Sequence, residues 1–178
     1  MNIRTPIIAA WLTMAYSATA NAADPRDQYM ATLKGLCGAR FEGGLTYAID
    51  SNNPYAGQKM STEIVCTDKD VRLPVLVGAD RSRTWIFTRT STGLDLRHDH
   101  RHPDNTPETV TMYGGLATDA GSALSQAFLA DDITFKLFPG SETNIWTVSF
   151  NADSTVLTYH LDRHAKPRIE FVMQRVAR

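Results

Sequence analysis

From Gly38 onward the chain is built of short runs in which apolar and polar residues alternate, each run cut by a cluster of turn formers. A period of two belongs to a β-strand with one buried face, because successive side chains leave opposite sides of the strand. Phe41, Gly43, Leu45, Tyr47 and Ile49 share one face of the first run, with Arg40, Glu42 and Thr46 on the other. Met60, Thr62, Ile64 and Cys66 form one face of the second. Val71, Leu73, Val75 and Val77 mark a third run, which Pro74 assigns to a sheet edge or a bulge. Strands are further predicted over Trp85–Thr90, Ile133–Phe138, Asn144–Phe150, Thr155–Leu161 and Arg168–Val176. Leu94–His102 and Thr109–Tyr113 read as a hairpin across Pro103-Asp104-Asn105-Thr106-Pro107.

About ten short strands at such spacing predict a mainly β fold, an antiparallel up-and-down β-barrel or strongly curled sheet, with a sandwich as the alternative. Phe41, Leu45, Tyr47, Ile49, Ile133, Phe135, Leu137, Ile169, Phe171 and Met173 fall on the predicted inward faces. Gly114 to Ala130, rich in Gly, Ala and Ser, breaks the pattern and reads as a short helix or a lid at a barrel mouth. Ahead of the strands, one helix of about three turns is predicted. Asp24 is its cap, Pro25 suits its first position, and Tyr29, Met30, Leu33 and Leu36 make its apolar face before Gly35 and Gly38 end it.

The first residues have the form of a secretory signal peptide: a short n-region with Arg4, an apolar stretch from Ile7 to about Tyr16, and small residues through Ala20-Asn21-Ala22. Cleavage after Ala22 would remove 22 of the 178 residues and leave a single β domain over 23–178. The apolar stretch is too short to span a bilayer, and no second one follows, so the remaining chain has no predicted transmembrane segment. A periplasmic or secreted location is expected. The cysteines agree, for Cys37 and Cys66 are the only two, are far apart, and would be joined in an oxidising compartment. Closing a loop of about 30 residues stabilises a fold by roughly 3–4 kcal/mol in the chain-entropy model.

Charge excludes one class of partner. Of 18 basic and 19 acidic side chains only Arg4 lies in the leader, so the rest is close to balance and lacks the basic field a nucleic acid requires. Gly114-Gly115 is followed by no P-loop lysine, and Ser122 and Ser125 lack the glycine pattern of a nucleophile elbow.

The segment Leu94-Asp-Leu-Arg-His-Asp-His-Arg-His102 carries the most chemistry. As a strand it sends Leu94, Leu96, His98, His100 and His102 to one face, and the leucines mark that face as inward. With the hairpin centred near Asn105, His100 would lie opposite Val110, His98 opposite Met112 and His102 opposite Glu108. Histidines at i and i+2 can share one zinc or copper ion, with His102 or Glu108 as a third ligand. One imidazole could instead take a haem iron axially, or act as an acid or base beside a carboxylate. The plain alternative is a set of rim histidines among surface ion pairs. Trp85, Phe87, Trp146 and Phe150 read as core or barrel lining, His160 as outward-facing, and His164 as a turn residue.

The stretch Leu96-Arg-His-Asp-His-Arg-His-Pro-Asp-Asn-Thr-Pro-Glu-Thr-Val-Thr-Met-Tyr-Gly-Gly115 resembles one found in a group of secreted bacterial proteins without an assigned activity. That resemblance implies an exported single-domain protein. The helix followed by a meander also resembles the lipocalin-like barrels, which implies a small, partly apolar ligand inside the barrel. The chain departs from their Gly-x-Trp signature, having Gly38-Ala39-Arg40-Phe41 there instead. The expected function is thus an exported small-molecule binding protein. The alternatives are a metal-dependent or histidine-based acid–base enzyme, and an envelope interaction module that uses the Gly114–Ala130 segment.

Overall fold

The structure, a computed structural model, describes residues 23–177. The predicted signal peptide and its cleavage site lie outside the described residues. Helix α1 (Pro25–Gly35) begins where Asp24 accepts a hydrogen bond from the backbone N–H of Arg26, with proline in the first turn. The turn that follows the helix closes at Gly38, whose φ of +75° is a left-handed conformation that a side chain would resist. The disulfide Cys37–Cys66 fastens this end of the helix to a strand.

The strands are β1 (Arg40–Ala48), β2 (Met60–Glu63), β3 (Val65–Cys66), β4 (Asp70–Val77), β5 (Asp80–Arg89) and β6 (Leu94–His100). There follow β7 (Tyr113–Leu116), β8 (Ser125–Leu129), helix α2 (Asp132–Leu137), β9 (Ile145–Phe150), β10 (Val156–Arg163) and β11 (Lys166–Val176). All pairings are antiparallel, in the order β7-β6-β5-β4-β2-β1-β11-β10-β9-β8, with β3 also on β4. The sheet curls until its end strands meet. There the isolated bridge Ala117–Phe128 and the bond from Thr118 N–H to the Ala127 carbonyl nearly close it. Gly115 permits that seam, since a Cβ on it would stand 1.8 Å from the Leu129 carbonyl oxygen. The mainly β, up-and-down, barrel-like architecture expected from the alternation is the one observed.

Five local expectations are corrected. Ile133–Phe138 is not a strand: Asp131 accepts the Thr134 N–H at 2.9 Å and starts helix α2, which leaves Ile133 55% exposed. Gly114–Ala130 is neither a helix nor a lid but contributes β7 and β8. In β1 the register slips between Leu45 and Tyr47, and the extra residue turns the strand over. Tyr47 and Ile49 therefore point out, 43% and 51% exposed. The strand with Pro74 is internal, lying between β2 and β5. Its proline falls opposite the break between β2 and β3, where a missing N–H interrupts no ladder bond on that side.

The last correction concerns the histidine hairpin. His98 lies opposite Tyr113, one residue later than supposed, and Arg97 opposite Gly114. Residues between Pro107 and Tyr113 bulge from the returning arm, Met112 in the left-handed region at φ +57° and Thr111 bonding the His100 N–H through its hydroxyl at 2.7 Å. Val110 and Met112 are consequently exposed.

Inward side chains divide the barrel into two halves. Around α1 they are aliphatic or phenyl: Val71, Leu73, Phe87, Leu96, Val148 and Leu157 are all fully buried. Tyr29 and Leu33 of α1 close this end, and the Tyr29 hydroxyl donates to the Val148 carbonyl at 3.1 Å. Toward the other end β5, β6, β9 and β10 carry indole, imidazole, phenol and guanidinium groups, while β4 continues with Val75 and Val77.

Candidate functional site

Three strands that are apolar near α1 turn aromatic or polar two residues further on, whereas β4 stays aliphatic through Val75 and Val77. Strand β5 passes from Phe87 to Trp85 and Arg83, β6 from Leu96 to His98 and His100, and β10 from Leu157 to Tyr159, Leu161 and Arg163. These side chains surround a cavity of about 240 Å³ at the end of the barrel opposite α1. Tyr55, from the loop between β1 and β2, and Phe138, after α2, stand at its border.

The floor is a connected stack. Trp85 and Tyr159 lie face to face, 4.3 Å apart and 9° from parallel. His98 stacks on Tyr113 at 4.6 Å and 8°, with Trp146 tilted against it at 5.1 Å. A carbonyl can only accept, so the contact of His98 Nδ1 with the Tyr113 carbonyl at 3.2 Å assigns the ring proton to Nδ1. His98 Nε2 then accepts from the Tyr159 hydroxyl at 2.9 Å. Burial drives the His98 pKa down to about 3, so the ring is neutral at physiological pH. Burial likewise raises the Tyr113 and Tyr159 hydroxyls above the ordinary tyrosine value, and both stay protonated.

His100 stands nearer the opening. Its Nε2 is 3.2 Å from the Tyr113 hydroxyl, and its Nδ1 is 3.9 Å from a Glu108 carboxylate oxygen. Burial, with Arg83 nearby, holds its pKa below the ordinary histidine value. His98 and His100 thus share the inward face, as the spacing predicted, but the Tyr113 ring lies against both. His102 is exposed in the turn, where its backbone N–H bonds the Thr106 carbonyl. Among the described residues, no three His, Cys, Asp or Glu side chains are grouped to hold a metal ion. Both His98 nitrogens are engaged, so neither is a free ligand or base without rearrangement. His160 faces outward between Asp162 and Glu170, and His164 bonds Thr143 in its turn.

Two arginines border the cavity, and their commitments differ. Arg83 is ion-paired with Asp80 and lies over the Tyr55 ring at 5.5 Å. Arg163 gives its Nε–H to Asn144 Oδ1 at 2.7 Å and has no salt bridge among the described residues. Neither arginine was singled out in the sequence, although the alternation Leu157, Tyr159, Leu161 extends directly to Arg163. Tyr113 was hidden by the hairpin register, and Asn144 by its position at the first turn of a strand.

No protein-family model matches the sequence, and no curated protein matches it. Among the described residues no helix is long and apolar enough to cross a membrane.

Proposed function

We propose that this is an exported binding protein that holds one small, partly apolar molecule in the open half of its barrel. The observation that carries the reading is the change in lining along the strands. Aliphatic and phenyl side chains fill the barrel at α1, whereas at the other end aromatic and polar groups join aliphatic ones around a cavity. Barrels of this width can be filled throughout by side chains. A concave, mostly aromatic cavity with a few directed polar groups is the common form of a small-molecule site. Export is supported by the signal-like leader and by the disulfide.

The size limits the occupant. At about 30 Å³ per liquid water, the cavity offers the space of roughly eight waters. That suits a single substituted ring rather than a porphyrin or a long acyl chain.

Native mass spectrometry of the protein, purified without chelator, tests the reading. An organic adduct is expected, and it should be lost when Leu161→Trp fills the cavity. An adduct that survives Leu161→Trp, or a bare mass together with no heat from any ring-sized probe, overturns it. A bound zinc or copper mass would point instead to the His98/His100 chemistry, and a bare mass to an interaction module.

A further inference from the structure

Resting on that reading, the charge around the cavity specifies more than size. The lining residues include two arginines and no aspartate or glutamate. His98 lies in the interior as a neutral ring, with its proton donated to a carbonyl. Arg83 has its charge answered by Asp80 and its face by Tyr55. Arg163 is different. Its Nε–H bonds Asn144, and among the described residues its two terminal amino groups have no hydrogen-bond partner.

Asn144 deserves the same accounting. It is 2% exposed and lines the cavity. The bond from Arg163 fixes its Oδ1 toward the guanidinium, which leaves the amide N–H₂ as a donor without a partner among the described residues. A buried asparagine therefore both orients the arginine and adds a donor beside it. Further along the same two strands stand Tyr159, stacked on Trp85, and Trp146, and all three line the cavity. Flat walls favour a flat guest, because aromatic faces pair by stacking or edge contact.

We propose that the occupant is a small aromatic carboxylate, its ring against the Trp85, Tyr159 and Trp146 walls and its carboxylate on Arg163 and Asn144. Arg163 supplies the parallel N–H donors that match a carboxylate, and the neutral floor receives the uncharged ring.

Isothermal titration calorimetry with trans-cinnamate and its neutral amide, cinnamamide, tests this, since the two differ little except in charge. The purified protein should bind cinnamate at least about tenfold more tightly, the margin expected of a charge-assisted hydrogen bond. Arg163→Gln should remove that preference, its loss falling mainly on cinnamate, and Arg83→Gln should preserve it. Equal affinities in the parent protein, or a preference that follows Arg83 rather than Arg163, overturns the proposal while interior binding stands. Binding of both probes that is indifferent to Leu161→Trp puts them outside the barrel and overturns interior binding as well. Failure of both probes to bind overturns both, and binding of cinnamamide without cinnamate overturns the carboxylate proposal alone.

Discussion

The two ends of the barrel share the same strands and differ in what those strands carry inward. Near α1, Phe87, Leu96 and Leu157 meet Tyr29 and Leu33 in a sealed layer, and the disulfide fixes the helix over it. Two residues further along the same strands, Trp85 stacks on Tyr159, whose hydroxyl bonds His98, and these side chains stop short of filling the space. Alternation alone builds both halves. Only the identity of the inward side chain decides which half is a core and which is a receptacle, so stability and binding should be separable by mutation.

The largest test of that separation is a pair of truncations. Phe87→Ala, at the sealed end, should cost about 3–5 kcal/mol in urea denaturation, the usual range for an emptied phenyl site. Leu161→Ala, on the cavity wall, should cost about 1 kcal/mol or less, because its side chain already borders open space. Equal costs would erase the distinction between the ends. Next in size, replacing Cys37 and Cys66 together by serine should lower stability by about 3 kcal/mol and leave probe binding at the far end unchanged. Calorimetry on the double variant would expose any coupling between the two halves.

A smaller effect depends on pH. Unfolded, His98 would take up a proton near pH 6.5, whereas in the fold burial keeps it neutral down to about pH 3. The unfolded chain therefore holds more protons within that window, so stability is fully present above it and falls as the pH drops through it. His98→Gln should flatten the pH dependence of the unfolding free energy measured in urea by at most about 1.4 kcal/mol per pH unit. An unchanged slope would mean that His98 is not held as the floor geometry requires. At the bottom of the scale, His102→Ala should stay within about 0.5 kcal/mol of the parent, as an exposed turn position does. A larger loss would bring the turn into the site.

Features set by local residue pattern were legible before the structure. The helix with its Asp24 cap, the meander, the disulfide and the inward pairing of His98 with His100 all follow from period, turn chemistry or compartment. What escaped depends on one-residue events. The bulge after Leu45 reversed Tyr47 and Ile49, and the bulging of 108–112 replaced Met112 by Tyr113 beside His98. Period-two patterns cannot register an extra residue, because each run still alternates on either side of it. The helix at Ile133 was masked by β-branched residues, although Asp131 is its cap. Arg163 and Asn144 become a pair only through the packing of β9 beside β10.

The pairing of β1 with β11 has a further consequence for how the chain acquires its shape. The middle of the sheet is made from the first and last of the described strands, Arg40 opposite Val176 and Ala48 opposite Ile169. Those ladders close almost the whole described chain into one loop, a contact of the kind that slows folding. During synthesis the central pair cannot form until the last strand has been made. A chain with this connectivity emerges with its sheet still divided, and it completes that sheet only once β11 is free to pair.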